Sequence, residues 1–416
     1  MPPKWARSKK ILLGISGGIA AYKTPELVRA FVKSGCEVEI ILTESACCLV
    51  SPLALSTLSK RRAWRDRDFV SDENGWKIPH ISLSDWADAL VVAPCTANVL
   101  RMAASGDSRT LLGAAILACQ KPMVFFPAMN DRMWANRSTK ENARILEERG
   151  AIVVDPDSGD LACGYEGKGR LPSAEAILDE TWAALCPARD LSGKKVLITA
   201  GPTHEYIDPV RFISNPSTGR MGYALAMEGR YRGAAVTLVS GPSSERAPSG
   251  VKLIKTTSAL EMLEACLKEL PGSDIIIKAA AVGDYRPLEY SSRKIKRGLG
   301  GMTLELTQNP DIALELSRKK TPDQILAGFA AETEDVEANA IKKISAKGLD
   351  LIVANDVSLS GAGFASLTNS VRVYFAKKHG IAPSPVISGT KLDVAAGIFD
   401  QIALLAYAVR PAPAMG

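Results

Sequence analysis

The stretch from Leu191 to Gly222, LSGKKVLITAGPTHEYIDPVRFISNPSTGRMG, reads as the start of a domain although it lies in the middle of the chain. Lys194-Lys195 leads into the apolar, β-branched run Val196-Leu197-Ile198-Thr199, and Gly201-Pro202 stops it, as at the carboxyl end of a parallel strand. Ligands of open α/β sheets bind outside that end of the strands, so a nucleotide crevice is expected there. Ser217-Thr218-Gly219-Arg220-Met221-Gly222 then offers small residues and backbone N–H donors ahead of a helical pattern at Tyr223, Leu225, Ala226 and Met227, which suits a polyphosphate. A Gly-rich turn alone is equally a structural loop. Arg211 and Asn215 just before it are polar groups that a plain connection does not need.

The N-terminus begins in the same way. Ile11 to Ile15 reads as a buried strand, Ser16-Gly17-Gly18 as its turn, and Ile19 to Ser34 as a helix. Pro25 costs about 3 kcal/mol inside a helix, so that helix is kinked or begins afresh with Thr24 as its cap. Val38 to Leu42 is the next strand, closing on Thr43-Glu44-Ser45. Ala89 to Ala93 ends on Pro94-Cys95-Thr96-Ala97-Asn98, Met123 to Phe126 on Pro127-Ala128-Met129-Asn130, and Ala151 to Val154 follows a helical Asn142–Arg149. Ser16, Thr43, Thr96 and Asn130 thereby gather at the carboxyl edge of a doubly wound parallel sheet. The turn lacks the third Gly and the downstream acid of a dinucleotide fingerprint, so a mononucleotide such as FMN fits better than NAD.

Val236 to Ser240 and Asp274 to Lys278 continue the second set of strands, with Lys278 read as an edge or strand-end lysine. The expected fold class is α/β, two doubly wound Rossmann-like domains with mostly parallel sheets. Cys186-Pro187-Ala188-Arg189-Asp190 is the linker, dividing the chain into residues 1–188 and 189–416. A length of 416 residues allows two or three domains at roughly 100–200 residues each.

Composition excludes several classes. A net charge of +6, with basic and acidic residues interspersed, fits anionic small substrates better than nucleic acid. Lys4, Arg7, Lys9 and Lys10 before ILLGISGGIAA imitate a secretory signal, but that run is too short and too Gly-rich to span a bilayer and is explained by a strand and its turn. Eight cysteines without a C-x-x-C pair indicate neither a disulfide framework nor a zinc site, and a reducing cytoplasm is the expected location.

The motifs are more specific. Ser16–Ala20, the Pro94–Asn98 turn, Pro127-Ala128-Met129-Asn130-Asp131-Arg132-Met133-Trp134 and Leu161-Ala162-Cys163-Gly164-Tyr165-Glu166-Gly167-Lys168-Gly169-Arg170 resemble the flavin-containing cysteine decarboxylases. Gly201-Pro202-Thr203 with Glu205, Ile207–Arg211, Ala279–Pro287, Lys294-Ile295-Lys296, Asn309-Pro310-Asp311, Gly328–Glu332 and Ala354-Asn355-Asp356 resemble phosphopantothenate–cysteine ligase. In this order, over nearly the whole chain, they resemble the bifunctional coenzyme A biosynthesis proteins of bacteria.

The resemblance implies two activities. In the first half, FMN would take a hydride from the cysteine moiety of 4′-phosphopantothenoylcysteine and return it after carbon dioxide is lost, giving 4′-phosphopantetheine. It implies FMN contacts at Ser16, Gly17, Thr43, Thr96 and Asn98, His80 as the catalytic histidine, Asn130 holding the substrate carboxylate, and Cys163 as proton donor on a Gly-flanked mobile flap. In the second half, 4′-phosphopantothenate would attack CTP to form an acyl-cytidylate that the cysteine amine then attacks. Asn215 and Lys294 are implied as catalytic and Arg211 as substrate-binding. Ala279, Ala280, Asp284, Lys294, Pro310, Asp311, Ile312, Phe329, Lys343 and Lys347 are implied for the nucleotide, with Mg²⁺ accompanying the triphosphate on ligands the sequence does not identify. Lys343 and Lys347, spaced i, i+4, share one face of a helix expected from about Val336 to Lys347. The implied assembly is a homo-oligomer with trimeric decarboxylase contacts and dimeric ligase contacts, which together can build a dodecamer. Two departures from the family pattern, Val99 and Ser108-Arg109-Thr110, fall near the expected flavin site. The rival classes are a non-catalytic regulator, which would carry long acidic tails, and an NAD(P)-dependent flavin reductase, which would need a dinucleotide fingerprint; neither feature is in the sequence.

Overall fold

The computed structural model describes residues 2–73, 75–296, 301–332, 335–356 and 366–409. The chain divides into two compact units, Pro2–Pro187 and Ala188–Gly416.

In the first unit six parallel strands lie in the order Ala63–Arg65, Glu37–Leu42, Lys10–Ile15, Ala89–Cys95, Met123–Pro127, Ile152–Val153. Every residue of Ala89–Cys95 is buried, as expected of a continuous apolar run covered on both faces. Helices follow the strands because polar caps stand at the strand ends: Thr96 caps Ala97–Ser105, Thr110 caps Leu111–Ala118, and Asn130 caps Asp131–Ala135, each accepting a backbone N–H of the first turn. The segment after the first strand departs from a single helix. A 3₁₀ turn, Ile19–Lys23, precedes an α-helix, Thr24–Lys33, with Pro25 in its first turn, where the missing N–H removes no bond. Thr24 is the first helical residue rather than the cap, and its hydroxyl donates back to the Ala21 carbonyl at 2.7 Å.

The second unit repeats the plan with eight strands in the order Lys252–Lys255, Ala235–Ser240, Lys195–Ala200, Ile275–Lys278, Ile325–Glu332, Leu351–Asp356, Thr368–Phe375, Ile387–Thr390. The first six are parallel, and the last two are antiparallel additions. Alternate residues of one strand enter different cores. Val196, Ile198, Ile275 and Ile277 pack with Phe399 and Ile402, whereas Leu197 and Ile276 pack with Met262, Leu316 and Ile344. Fully burying each such aliphatic side chain contributes about 1.5–3 kcal/mol, so both faces of the sheet hold it in place. Lys278 ends a central strand, not an edge one. Two small antiparallel pairs, His204–Tyr206 with Phe212–Ser214 and Tyr285–Pro287 with Leu306–Gln308, extend beyond the sheet.

Candidate functional site

Two clefts lie at the carboxyl edges of the two sheets. In the first unit the ends of adjacent strands are tied by Ser16, whose fully buried hydroxyl donates to the Pro94 carbonyl at 2.7 Å and accepts the Thr96 N–H at 2.9 Å. Gly17 lets this turn meet the next one, since a Cβ there would fall 2.3 Å from the Ser45 hydroxyl. Thr43 caps the short helix Glu44–Cys47. Next to this rim opens a cleft of about 630 Å³, lined among others by Gly18, Thr96, Asn130, Cys163 and Gly169. Of the residues expected to contact FMN, Thr96 lines the cleft; Ser16, Gly17 and Thr43 build the rim behind it, and Asn98 is exposed one residue into the following helix. This small-residue rim, ringed by hydroxyls and a helix N-terminus, fits a mononucleotide phosphate. Val99 is buried in the core and Thr110 caps a helix, and neither Val99 nor Ser108, Arg109 or Thr110 lines the cleft.

Asn130 and Cys163 come together. The Asn130 carboxamide oxygen accepts the Arg132 N–H at 3.0 Å, which turns its NH₂ group toward Cys163 Sγ at 3.4 Å and the Tyr165 hydroxyl at 2.7 Å. Cys163 is exposed on the turn between the strands Asp157–Asp160 and Glu166–Arg170. The glycines expected to make this a mobile flap have a packing reason as well, because Gly167 and Gly169 lie directly against Asp131 and Met129. His80 is not part of this group. It lines a separate cavity with Phe69 and Trp76, its ring edge-on to Phe69 at 5.3 Å, and its Nδ1 is buried with no hydrogen-bond partner among the described residues. Lys23, which the sequence did not single out, lines the Asn130 cleft with Arg170; burial and the neighbouring guanidinium depress its pKa.

In the second unit the loop after Ile275–Lys278 is strapped to the first strand. Thr199 Oγ1 accepts the Ala280 N–H at 3.1 Å, Gly201 accepts the Ala281 N–H at 2.9 Å, and Thr203 Oγ1 accepts the Gly283 N–H at 3.0 Å. Asn215 donates to the carbonyls of both Ala281 and Val282 at 3.2 Å. Gly219, with φ +80°, starts the helix Arg220–Tyr231, and Gly222 brings that helix onto Ala200. The resulting cleft of about 350 Å³ includes Asn215, Ser217, Ala280, Asp284, Phe329 and Lys391 in its lining, with Ala279 beside them.

The other expected ligase residues lie elsewhere in this unit. Arg211 donates to Asp208 at 3.2 Å and to the Ile295 carbonyl at 3.1 Å, while Asp208 also accepts the Ile295 N–H at 3.1 Å. This buckle holds the loop that carries the exposed Lys294; Arg297, the end of the basic run, lies outside the described residues. Burial pushes the Asp208 carboxyl up, but the N–H bonds from Val210, Ile295 and Arg211, with the Arg211 charge, outweigh it and hold it below the usual range. Asp311 caps the helix Ile312–Lys319 and pairs with Lys347 at 2.8 Å. Pro310 is half-buried, Ile312 is in the core so that only its backbone is free to meet a nucleotide, and Lys343 is one turn from Lys347 on the helix Val336–Lys347. None of these seven, Arg211 and Lys294 included, lines the cleft. Lys278 does, its pKa depressed by burial against the opposing pull of Asp311. Lys391 and Asn369 were not expected; Asn369 lies on the strand Thr368–Phe375, and Lys391 opens the helix Lys391–Val409 directly after the last strand. Burial, then Arg220, depresses the Lys391 pKa. Among the described residues no group of three or more His, Cys, Asp or Glu could hold a metal, and no helix is long and apolar enough to cross a membrane.

A family model described as Flavoprotein matches residues 2–185, and one described as DNA/pantothenate metabolism flavoprotein C-terminal domain matches residues 191–405. The coenzyme A biosynthesis bifunctional protein CoaBC of Bacillus subtilis (strain 168) is 46% identical over 401 residues, 96% of this chain and 97% of that protein. Its namesake in Escherichia coli (strain K12) is 41% identical over 371 residues, 88% of this chain and 91% of that protein. Among solved structures, the C-terminal domain of a coenzyme A biosynthesis bifunctional protein CoaBC is 39% identical, covering 53% of this chain and 99% of that one with a TM-score of 0.44. The FMN binding protein AtHal3 is 32% identical, covering 42% of this chain and 95% of that one with a TM-score of 0.37.

Proposed function

The chain belongs to the bifunctional coenzyme A biosynthesis proteins, enzymes that combine a ligase with an FMN-dependent decarboxylase, and on that premise we propose that residues 1–188 carry the decarboxylase and residues 189–416 the ligase. The two matched segments support this division, and the burial of both faces of the second sheet supports reading that fold as doubly wound.

The ligase half joins cysteine to 4′-phosphopantothenate. The carboxylate attacks the α-phosphorus of CTP, pyrophosphate leaves, and the cysteine amine displaces CMP from the acyl-cytidylate. Asn215 strapped across the Ala281–Val282 backbone shapes the wall beside the reacting carbonyl. Gly219 and the N-terminus of Arg220–Tyr231 receive phosphate oxygens, and Lys294 on its buckled loop neutralises charge building on the leaving pyrophosphate. The cleft offers amides, hydroxyls and cations with Asp284 as a carboxylate, so Mg²⁺ would enter carried by the triphosphate.

The decarboxylase half receives the ligated product. FMN, when bound, supplies the uptake and return of a hydride. Asn130 donates to the substrate carboxylate without adding charge, and Cys163 gives its proton to the decarboxylated enethiolate. His80 lies in a different cavity of the same chain, and we assign it to the site of a facing copy. Exposed apolar side chains rim both places, Trp76 and Val70 near His80 and Ile19, Tyr22 and Met133 near Asn130, as a trimer contact requires. Val210, Phe212, Tyr285 and Leu288 form a comparable exposed group on the ligase half, fit for dimer contacts. The observation that carries the reading is the convergence of the Asn130 amide and the Cys163 thiol at 3.4 Å over a cleft beside a small-residue phosphate rim. The test is to incubate the purified, yellow full-length protein with phosphopantothenate, cysteine and CTP and follow pyrophosphate and carbon dioxide. Both products are expected, pyrophosphate first; carbon dioxide without CTP or pyrophosphate without phosphopantothenate would contradict the assignment.

A further inference from the structure

The loop that carries Cys163 is closed mainly on itself. Leu161 donates its N–H to the Tyr165 carbonyl at 2.9 Å, and Gly164, at φ +85°, donates to the Leu161 carbonyl at 3.0 Å. These bonds shape the turn without tying its tip to the cleft. The tie is the side chain of Tyr165. Its hydroxyl accepts from Asn130 Nδ2 at 2.7 Å and donates to Asp131 Oδ1 at 2.7 Å.

The direction of every bond in this chain is determined. Asn130 Oδ1 accepts the Arg132 N–H, so its NH₂ must face Tyr165 and Cys163. The hydrogen bond from Tyr165, more than any other influence, holds the Asp131 carboxyl below its usual range. An ionised carboxylate only accepts, so the phenol donates to it and leaves a lone pair for Asn130. Phenylalanine would fill the same space and make neither bond. The Asn130 contact to the thiol itself, N–H to sulfur at 3.4 Å, is weak by comparison.

From this geometry we infer that Tyr165 is a positioning residue of the decarboxylase: its hydroxyl latches the turn onto the Asn130–Asp131 segment and so fixes the Cys163 thiol over the cleft. The inference rests on Cys163 being the proton donor. In that step the Cys163 S–H proton goes to one carbon of the decarboxylated enethiolate and the hydride returned by the reduced flavin goes to its neighbour. The C=C bond becomes CH₂–CH₂, the substrate sulfur stays a thiolate, and the Cys163 thiolate regains a proton from solvent. Proton transfer of this kind is sensitive to misplacement on the ångström scale, whereas carbon dioxide loss precedes it and does not use the thiol.

The test uses the FMN-loaded full chain. In a single turnover of supplied 4′-phosphopantothenoylcysteine, Tyr165→Phe should release carbon dioxide at the wild-type rate and return its flavin to the oxidised form about threefold to tenfold more slowly, the range one hydrogen bond commands. Iodoacetamide should alkylate Cys163 faster in the variant, a readout independent of turnover. Asp131→Ala should behave alike, and the double variant no worse than either single one. Cys163→Ser is run beside them. If it fails to hold the flavin reduced, the proton-donor reading falls and this inference with it. If it holds the flavin reduced while Tyr165→Phe shows wild-type reoxidation and alkylation, the latch alone is overturned.

Discussion

The Met129 N–H donates to the Gly169 carbonyl at 3.0 Å, and a Cβ on residue 169 would fall 2.0 Å from the Met129 carbonyl oxygen. The hairpin that carries Cys163 is therefore seated on the strand end that carries Asn130, and only glycine allows the contact. Gly169→Ala must push backbone from backbone, which cannot relax by a side-chain rotation. We expect at least about a tenfold loss of decarboxylation, in line with the sensitivity of catalysis to small displacements, and no change in ligation. Separate assays of carbon dioxide and pyrophosphate release check this.

Cys163→Ser and Asn130→Asp should fail at different points. The serine variant should consume substrate, release carbon dioxide and stop with reduced flavin, because its hydroxyl is a poor acid near neutral pH. The aspartate variant places a carboxylate opposite the substrate carboxylate and should not release carbon dioxide at all. Flavin absorbance against carbon dioxide release separates them.

The Asp208–Arg211 buckle predicts that Arg211→Ala impairs ligation by releasing the Lys294 loop. Removing either the cation or its anchor disables one device, so Lys294→Gln combined with Arg211→Ala should be much less than additive. A double-mutant cycle on CTP-dependent pyrophosphate release measures it; full additivity would assign Arg211 a separate role.

Asp350 is 3% exposed, accepts the Leu326 N–H at 2.9 Å and faces Lys378 at 2.7 Å and Lys320 at 3.0 Å. Burial raises its pKa, but these partners outweigh burial and hold it below the ordinary value. A carboxyl depressed on folding stabilises the native state fully above its unfolded pKa of about 3.9 and loses that contribution as pH falls through the lower folded value. Asp350→Asn should cost the ligase half about 3 kcal/mol at pH 7, and the difference from wild type should shrink below pH ~4. Hydrogen exchange at the Leu326 amide reports it locally, which matters because all six tryptophans lie in the first unit.

The parallel strands were legible because a strand buried on both faces has little choice but a run of apolar, β-branched residues, as in Val196–Thr199 and Ala89–Ala93. Strand ends were legible where a hydroxyl or amide follows such a run, as at Thr96 and Asn130; that both residues also cap the helices that follow came from the structure. Pro25 was read as a kink or as a fresh helix start capped by Thr24; the structure has the fresh start, with Thr24 as the first helical residue instead of the cap and a 3₁₀ turn before it that periodicity alone does not locate. Lys391 and Asn369 stayed hidden because Asn369 lies in the polar Thr368-Asn369-Ser370 start of its strand and Lys391 follows Ser388-Gly389-Thr390, stretches without the apolar run that marks a strand. Lys278 was read as an edge or strand-end lysine; it does end a strand, but a central one, and lines the cleft, which a lone charge after three isoleucines does not reveal. The separation of His80 from Cys163 could not be read from motif order, which says nothing of which cavity a side chain enters. Tyr165 gave no signal either, since a tyrosine in a Gly-rich turn has no spacing that betrays a partner at Asp131.

The central claim is that two chemistries occupy two independently built clefts, and one paired measurement tests it most directly. Pyrophosphate release with phosphopantothenate, cysteine and CTP, and carbon dioxide release from supplied phosphopantothenoylcysteine, are measured for Asn215→Asp and for Asn130→Asp. Asn215→Asp replaces two donated hydrogen bonds with a carboxylate facing the Ala281 and Val282 carbonyls, so it should abolish pyrophosphate release and leave carbon dioxide release at the wild-type rate. Asn130→Asp should do the reverse. Loss of both activities in either variant, or undiminished ligation in Asn215→Asp, would contradict the account.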